Sequence, residues 1–199
     1  MTAYHIELAQ QKDSKKERAK AFNSKAIIHV NKGDYDQALT EMHKVKDIYL
    51  NLNDSLALAK IYNNLAVIYT HQIEYQKAIN FYSKCLVLCQ ENKMESIQAF
   101  ALINLGKIHF EISNYDLALY YFNKSLDIYK KLELEKNEVR IWLNIGKVNF
   151  EKKNYHQALE NSQKALKVFQ TLNQQYGIGS CYILNANIYQ ALNLSLIHI

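Results

Sequence analysis

No proline occurs anywhere in the 199 residues, and glycine occurs only five times. That pairing excludes collagen-like tracts, marked linkers and turn-rich β architectures, and it favours near-continuous helix. Cysteine is scarce as well. Cys85, Cys89 and Cys181 form no spaced framework of the kind that staples small secreted domains, which points to a reducing compartment. No run approaches the roughly 18 consecutive apolar residues of a membrane span, and Met1 leads into the polar run Gln10 to Lys20 rather than into a signal peptide. Hydrophobic residues at 49% and charged residues at 22% are too apolar a mixture for disorder. A soluble, cytoplasmic, all-α chain is expected.

The formal charge of +5 raises the question of nucleic acid, since Lys15, Lys16, Arg18 and Lys20 cluster near the start. Glu17 interrupts that cluster, no aromatic platform is interleaved with it, and the other basic residues are spread among acidic ones along helices. The pattern is that of a solvated helical face. Neither nucleic acid nor membrane is expected as a partner.

What the chain does contain is a segment that returns every 40 residues, anchored by Tyr35, Tyr75, Tyr115 and Tyr155 and followed three positions later by Ala38, Ala78, Ala118 and Ala158. Each unit divides into two helical patterns. In the unit at 54–93, Tyr62, Leu65, Ala66 and Tyr69 line one face of a first helix. Ala78, Ile79, Tyr82, Cys85 and Leu86 line one face of a second helix that opens near Tyr75. Gly33, Asn114 and Asn154, with Asp34, stand just before the second helices and read as turn and cap residues. The alanines keep side chains minimal where paired helices cross, and Gly106, Gly146, Ala26, Ala66 and Ala186 do the same on the first helices.

These residues resemble the tetratricopeptide repeat family. Its large residue, Leu-Gly or Leu-Ala, Tyr and Gly-Asp-Tyr-x-x-Ala pattern is matched by Tyr62, Leu65-Ala66, Tyr69 and Tyr75-x-x-Ala78. It is matched again by Leu102, Leu105-Gly106 and Tyr115-x-x-Ala118, by Trp142, Ile145-Gly146 and Tyr155-x-x-Ala158, and most literally at its turn by Gly33-Asp34-Tyr35. The period departs from the usual value of about 34, the proline after the second helix is missing, and Lys25 replaces an expected leucine. The longer period is similar to that of extended-helix variants in kinesin light chains, Rap-type peptide-sensing regulators and sensor kinases. The resemblance implies a right-handed α-solenoid of antiparallel helix pairs. Its units would be 14–53, 54–93, 94–133 and 134–173, preceded by a partial helix at 1–13 and followed by the first helix of a fifth unit at 174–193. Residues 194–199 look like a translated library-preparation adapter and are expected to be a non-native tail, the chain being a fragment of a larger protein.

The resemblance also implies that the outer face of each first helix lines a concave groove. Asn64, Asn104 and Asn144 form one column of it, and a ladder of amides, donor and acceptor together, can pair with the main chain of an extended peptide. Asn63 lies on the same face. Lys107 and Lys147 stand in the next column, Phe110 and Phe150 one turn further, and Lys60 and Arg140 at the entrance. Such a groove suits a peptide with acidic side chains and an apolar anchor. A packing role, in which the asparagines hold the repeats in register, is the alternative. The two-carboxylate clamp of some family members is not expected, because its columns hold Asn23, Ile27 and Phe100.

Other signals carry less. His29 and His109 share a column but lie two repeats apart, too far to converge on one ion, and Cys85 and Cys89 read as core thiols. The Gly177-Ile178-Gly179-Ser180 stretch follows a helix rather than a strand and reads as the turn into the fifth unit, not as a phosphate loop. No catalytic constellation, metal or cofactor is expected, and the chain is not expected to be an enzyme. The expected function is that of a peptide- or protein-binding scaffold or adaptor. The alternatives are the sensing region of a longer signalling protein, and self-association through exposed ends where Tyr182, Ile183 and Tyr189 would lack a covering helix.

Overall fold

In a computed structural model of the chain, the backbone is described for residues 3–197 and the side chains for residues 11–192. The described residues form nine helices and no strand: α1 (Ala3–Lys32), α2 (Tyr35–Asn51), α3 (Ser55–His71), α4 (Tyr75–Glu91), α5 (Glu95–Glu111), α6 (Tyr115–Lys131), α7 (Glu135–Glu151), α8 (Tyr155–Thr171) and α9 (Gln175–Ile197). The four anchoring tyrosines are therefore the first residues of α2, α4, α6 and α8. No turn divides residues 13 and 14, so the stretch expected as part of a preceding helix is continuous with α1. The expected tail lies outside the described side chains; its backbone is helical to Ile197.

The turns share one hydrogen-bonding pattern. After α2 the Asn53 N–H donates to the Leu50 carbonyl at 3.1 Å and the Asp54 N–H to the Tyr49 carbonyl at 3.2 Å, the two bonds of a Schellman cap. Asn53 sits in the left-handed region at φ 52°. The arrangement returns around Gly33, Ile73, Ser113, Glu133, Lys153 and Asn173, all with positive φ. Gly33, Asn53 and Asn173 are residue types that this conformation favours; Ile73, Ser113, Glu133 and Lys153 are not. Asn114 and Asn154, expected as caps, make no side-chain cap bond. Asp54 does, its carboxylate accepting from the Ala57 N–H at 3.0 Å.

Packing divides the chain into two compact units, Met1–Ala101 and Leu102–Ile199. In the first, α1 packs on α2, α2 on α3 and α3 on α4, around Ala19, Ala26, Ala38, Met42, Val45, Ile61, Leu65 and Ile68. In the second, α6 packs on α7, α7 on α8 and α8 on α9, around Val139, Leu143, Ala158, Ala165, Phe169, Cys181, Leu184 and Ile188. The Gln72 amide donates to the Asp36 carboxylate at 2.8 Å in the first unit. Lys152 pairs with Asp116 at the equivalent place in the second. Both contacts tie the end of a first helix to the start of the second helix in the preceding pair. The fold is an all-α solenoid of stacked helix pairs.

Small residues set how closely the helices approach. Ala38, Ala78, Ala118 and Ala158 are fully buried. A Cβ on Gly106 would lie 2.6 Å from the Phe122 ring, so a large residue on α6 fills the space that a missing side chain on α5 leaves open. Gly177 corrects the sequence reading. The turn into α9 is at 172–174, and Gly177 lies within the helix, where a Cβ would come 2.4 Å from the Phe169 ring and glycine is therefore the residue that fits. Ala186, expected at a crossing, is exposed, since among the described residues nothing covers that side of α9. Cys85 and Cys89 are free, fully buried thiols with sulfurs 3.9 Å apart. His109 is buried and stacks on Tyr121 at 5.2 Å.

Candidate functional site

Because α3 packs on both α2 and α4, and α7 on both α6 and α8, a first helix keeps only a narrow open strip. On α3 that strip runs through Lys60, Asn64 and His71; on α7 it runs through Arg140, Asn144, Lys147 and Glu151. Asn63 does not belong to it. It is 7% exposed, because it shares the covered stripe with Ala59 and Ala66, and its amide donates weakly to Asn64 at 3.5 Å. The other expected residues are accessible: Lys60, Lys107, Arg140 and Lys147 are exposed, while Asn64, Asn104, Asn144, Phe110 and Phe150 are half-buried.

In the second unit these residues come together. A hollow of about 550 Å³ is lined by Lys107 of α5, by Arg140, Leu143, Asn144 and Lys147 of α7, by Phe169 of α8, and by Gln174, Gln175, Tyr176, Gly177 and Ser180 at the start of α9. Lys107, Asn144 and Lys147 also line a neighbouring hollow of about 190 Å³ with Phe110, Glu111 and Phe122. Phe110, Lys147 and Ser180 line a third, of about 260 Å³, with Phe150, Glu151, Ile183, Leu184 and Asn187. The shared residues make one trough whose lining comes mainly from α5, α7 and α9, the first helices of their pairs. Phe110 and Phe150 form its aromatic rim, each tilted against a tyrosine, Tyr115 or Tyr155, at 5.9 Å. Lys60, Asn63 and Asn64 belong to the other unit.

The charge of the largest hollow is one-sided, whereas Glu111 and Glu151 line the two smaller ones. No Asp or Glu lines the largest hollow. Among the described residues, Lys107, Arg140 and Lys147 have no ion-pair partner. Lys107 is exposed as a residue, yet the walls of the trough partly desolvate its ammonium, and this, reinforced by the positive charges of Arg140 and Lys147, pushes it below its usual range. The Asn104 amide nitrogen is buried without an acceptor. The largest hollow therefore offers positive charge with amide and hydroxyl groups beside it and holds no carboxylate.

Sequence reasoning missed the residues at the start of α9. Ser180 occupies the same repeat column as Arg140 and could have been found from it. Gln174, Gln175 and Tyr176 could not, because a neighbouring pair brings them to the trough.

Stacked helix pairs presenting an open trough define a protein-interaction scaffold, whose partners are proteins or peptides. Tetratricopeptide repeat models match over residues 17–91 and 58–131 and over residues 139–171. The chain belongs to the tetratricopeptide repeat family. No curated relative matches the sequence. Among solved structures it is similar to BtubC (BKLC) from P. vanneervenii, at 21% identity and TM-score 0.78 over 97% of this chain and 85% of that one. It is similar to aspartyl phosphate phosphatase F from Bacillus subtilis, at 14% identity and TM-score 0.81 over 92% of this chain and 48% of that one. A third similar structure is a signal transduction ATPase with a tetratricopeptide repeat sensor from Pyrococcus horikoshii, at 18% identity and TM-score 0.79 over 87% of this chain and 27% of that one. Identities this low carry the fold alone.

Among the described residues no helix is long and apolar enough to cross a membrane, and no three His, Cys, Asp or Glu side chains are grouped to hold a metal ion.

Proposed function

We propose that the chain is a cytoplasmic adaptor that captures an extended polypeptide carrying acidic side chains and an apolar anchor, without a catalytic step or cofactor of its own. The observation that carries this reading is the trough of the second unit, where three unpaired cations line one hollow free of carboxylates. Asn144 supplies an amide for the main chain of the peptide, Asn104 stands one repeat before it in the same column with its amide nitrogen turned inward, and Phe110 and Phe150 offer the apolar rim. Asn64 and Lys60 present the same residue types on α3.

The test is an acidic peptide library passed over the immobilised chain. Replacing Asn104 and Asn144 together with alanine should weaken capture while leaving helix content and melting nearly unchanged. A large loss of stability would assign both amides to packing instead.

A second reading is that the array is the sensing region of a longer signalling protein. It is supported by the two similar structures in which the matched stretch is 48% and 27% of the whole chain, and a full-length reading frame decides it. Tyr182, Ile183 and Tyr189, at 55, 66 and 50% exposed, form the surface on which self-association would rest. Light scattering across a dilution series tests it.

A further inference from the structure

The largest hollow of the trough differs from the rest of the groove in its charge and in what stands behind that charge. We propose that it receives a phosphoryl group, carried on a phosphorylated serine or threonine of the bound polypeptide, with Lys107, Arg140 and Lys147 as its charge partners and Asn144 and Ser180 as neutral donors. The proposal rests on the peptide-groove reading and narrows it.

Three cations facing one space of about 550 Å³ repel one another, and only an incoming anion relieves that. A single carboxylate brings one negative charge and two acceptor oxygens, which leaves most of the set unmatched. A phosphate monoester brings about 1.5 to 2 negative charges and three acceptor oxygens at neutral pH. The guanidinium of Arg140 is a planar fork that takes two of those oxygens at once, while the two ammonium groups act as point charges. Leu143 and Phe169 supply apolar wall, which strengthens each charge contact relative to bulk water.

The helix that opens on the hollow adds to this. The Ile178 N–H is the first of α9 to find a backbone acceptor, on Gln174 at 3.1 Å. The N–H groups of Gln175, Tyr176 and Gly177 precede it and have no acceptor within the helix. Those residues line the same hollow as the three cations, so the positive end of a long helix lies beside them. The depressed ammonium of Lys107 is the cost that the empty arrangement carries, and a bound dianion would reverse it.

Three degenerate peptide libraries of common length, with central phosphoserine, serine or glutamate, distinguish the outcomes when passed over the intact chain, with inorganic phosphate as free competitor. The expected result is capture of the phosphoserine library about tenfold better than the glutamate library at matched salt, equivalent to about 1.4 kcal/mol. Arg140→Gln should bring the two to the same level, and Arg140→Lys should recover only part of the difference. Equal capture of the phosphoserine and glutamate libraries by the native chain would overturn the phosphoryl site and leave the acidic-peptide groove standing. Capture of none of the three would overturn both. Binding of inorganic phosphate with no preference for phosphoserine would identify a free-anion site and overturn the proposal.

Discussion

Ile73 stands in the left-handed region at φ 63°, and replacing it with glycine should stabilise the first unit. A Cβ in this region costs roughly 1–2 kcal/mol, and a β-branched residue belongs at the upper end of that range. The side chain is 72% exposed, so its removal gives up only about a quarter of the roughly 1.5–3 kcal/mol that full burial would contribute, near 0.5 kcal/mol. The freer unfolded chain takes back about 0.4–1 kcal/mol more. The net expectation is a gain of about 1 kcal/mol or slightly less, a rise in Tm of roughly 2–4 °C for a chain of this size. Gly33, at φ 79° with nothing within 4 Å of a built Cβ, is the mirror test. Gly33→Ala introduces no clash and should cost about 1 kcal/mol through the backbone alone. Both turns lie in the first unit, so urea unfolding followed by circular dichroism reads them in the same transition. A destabilised Ile73→Gly, or a neutral Gly33→Ala, would refute the assignment of the cost to φ.

Gly106→Ala should destabilise by about 1–3 kcal/mol, because Phe122 is 1% exposed and cannot retreat; Phe122→Leu in the same chain should restore part of the loss in a thermal melt. Ala118→Leu should likewise lower Tm while leaving peptide capture by the folded chain in place. Part of the pH response follows from His109, which burial, as at His43, pushes below its usual value. The unfolded chain accepts a proton that the folded chain resists, so stability should fall as pH drops through about 6.5. His109→Phe, which keeps a ring against Tyr121, should flatten that part of the profile in denaturant titrations at successive pH values.

Pairing of helices was legible in the residues themselves because it depends on local spacing. Tyr35, Tyr75, Tyr115 and Tyr155 with their alanines mark where second helices start, and Gly106 and Gly146 mark where a neighbour comes close. Those signals survive in one dimension because each helix contacts mainly the helices next to it in the chain. The columns of Lys60 and Arg140 and of Asn64 and Asn144 on the open strip were readable for the same reason. The turns were not: Gly33, Asn53 and Asn173 suit the left-handed conformation, but Ile73, Ser113, Glu133 and Lys153 are held in it by packing and the Schellman bonds against local preference. Asn63 was misplaced because a first helix is covered on two flanks, which periodicity on a single helix cannot reveal. Gly177 was read as a turn because its reason for being small, the ring of Phe169, lies on another helix. The convergence of Lys107, Arg140 and Lys147 with the start of α9 likewise belongs to the tertiary structure, since the charges come from two helix pairs and the α9 start from a third, and only their stacking brings them to one hollow.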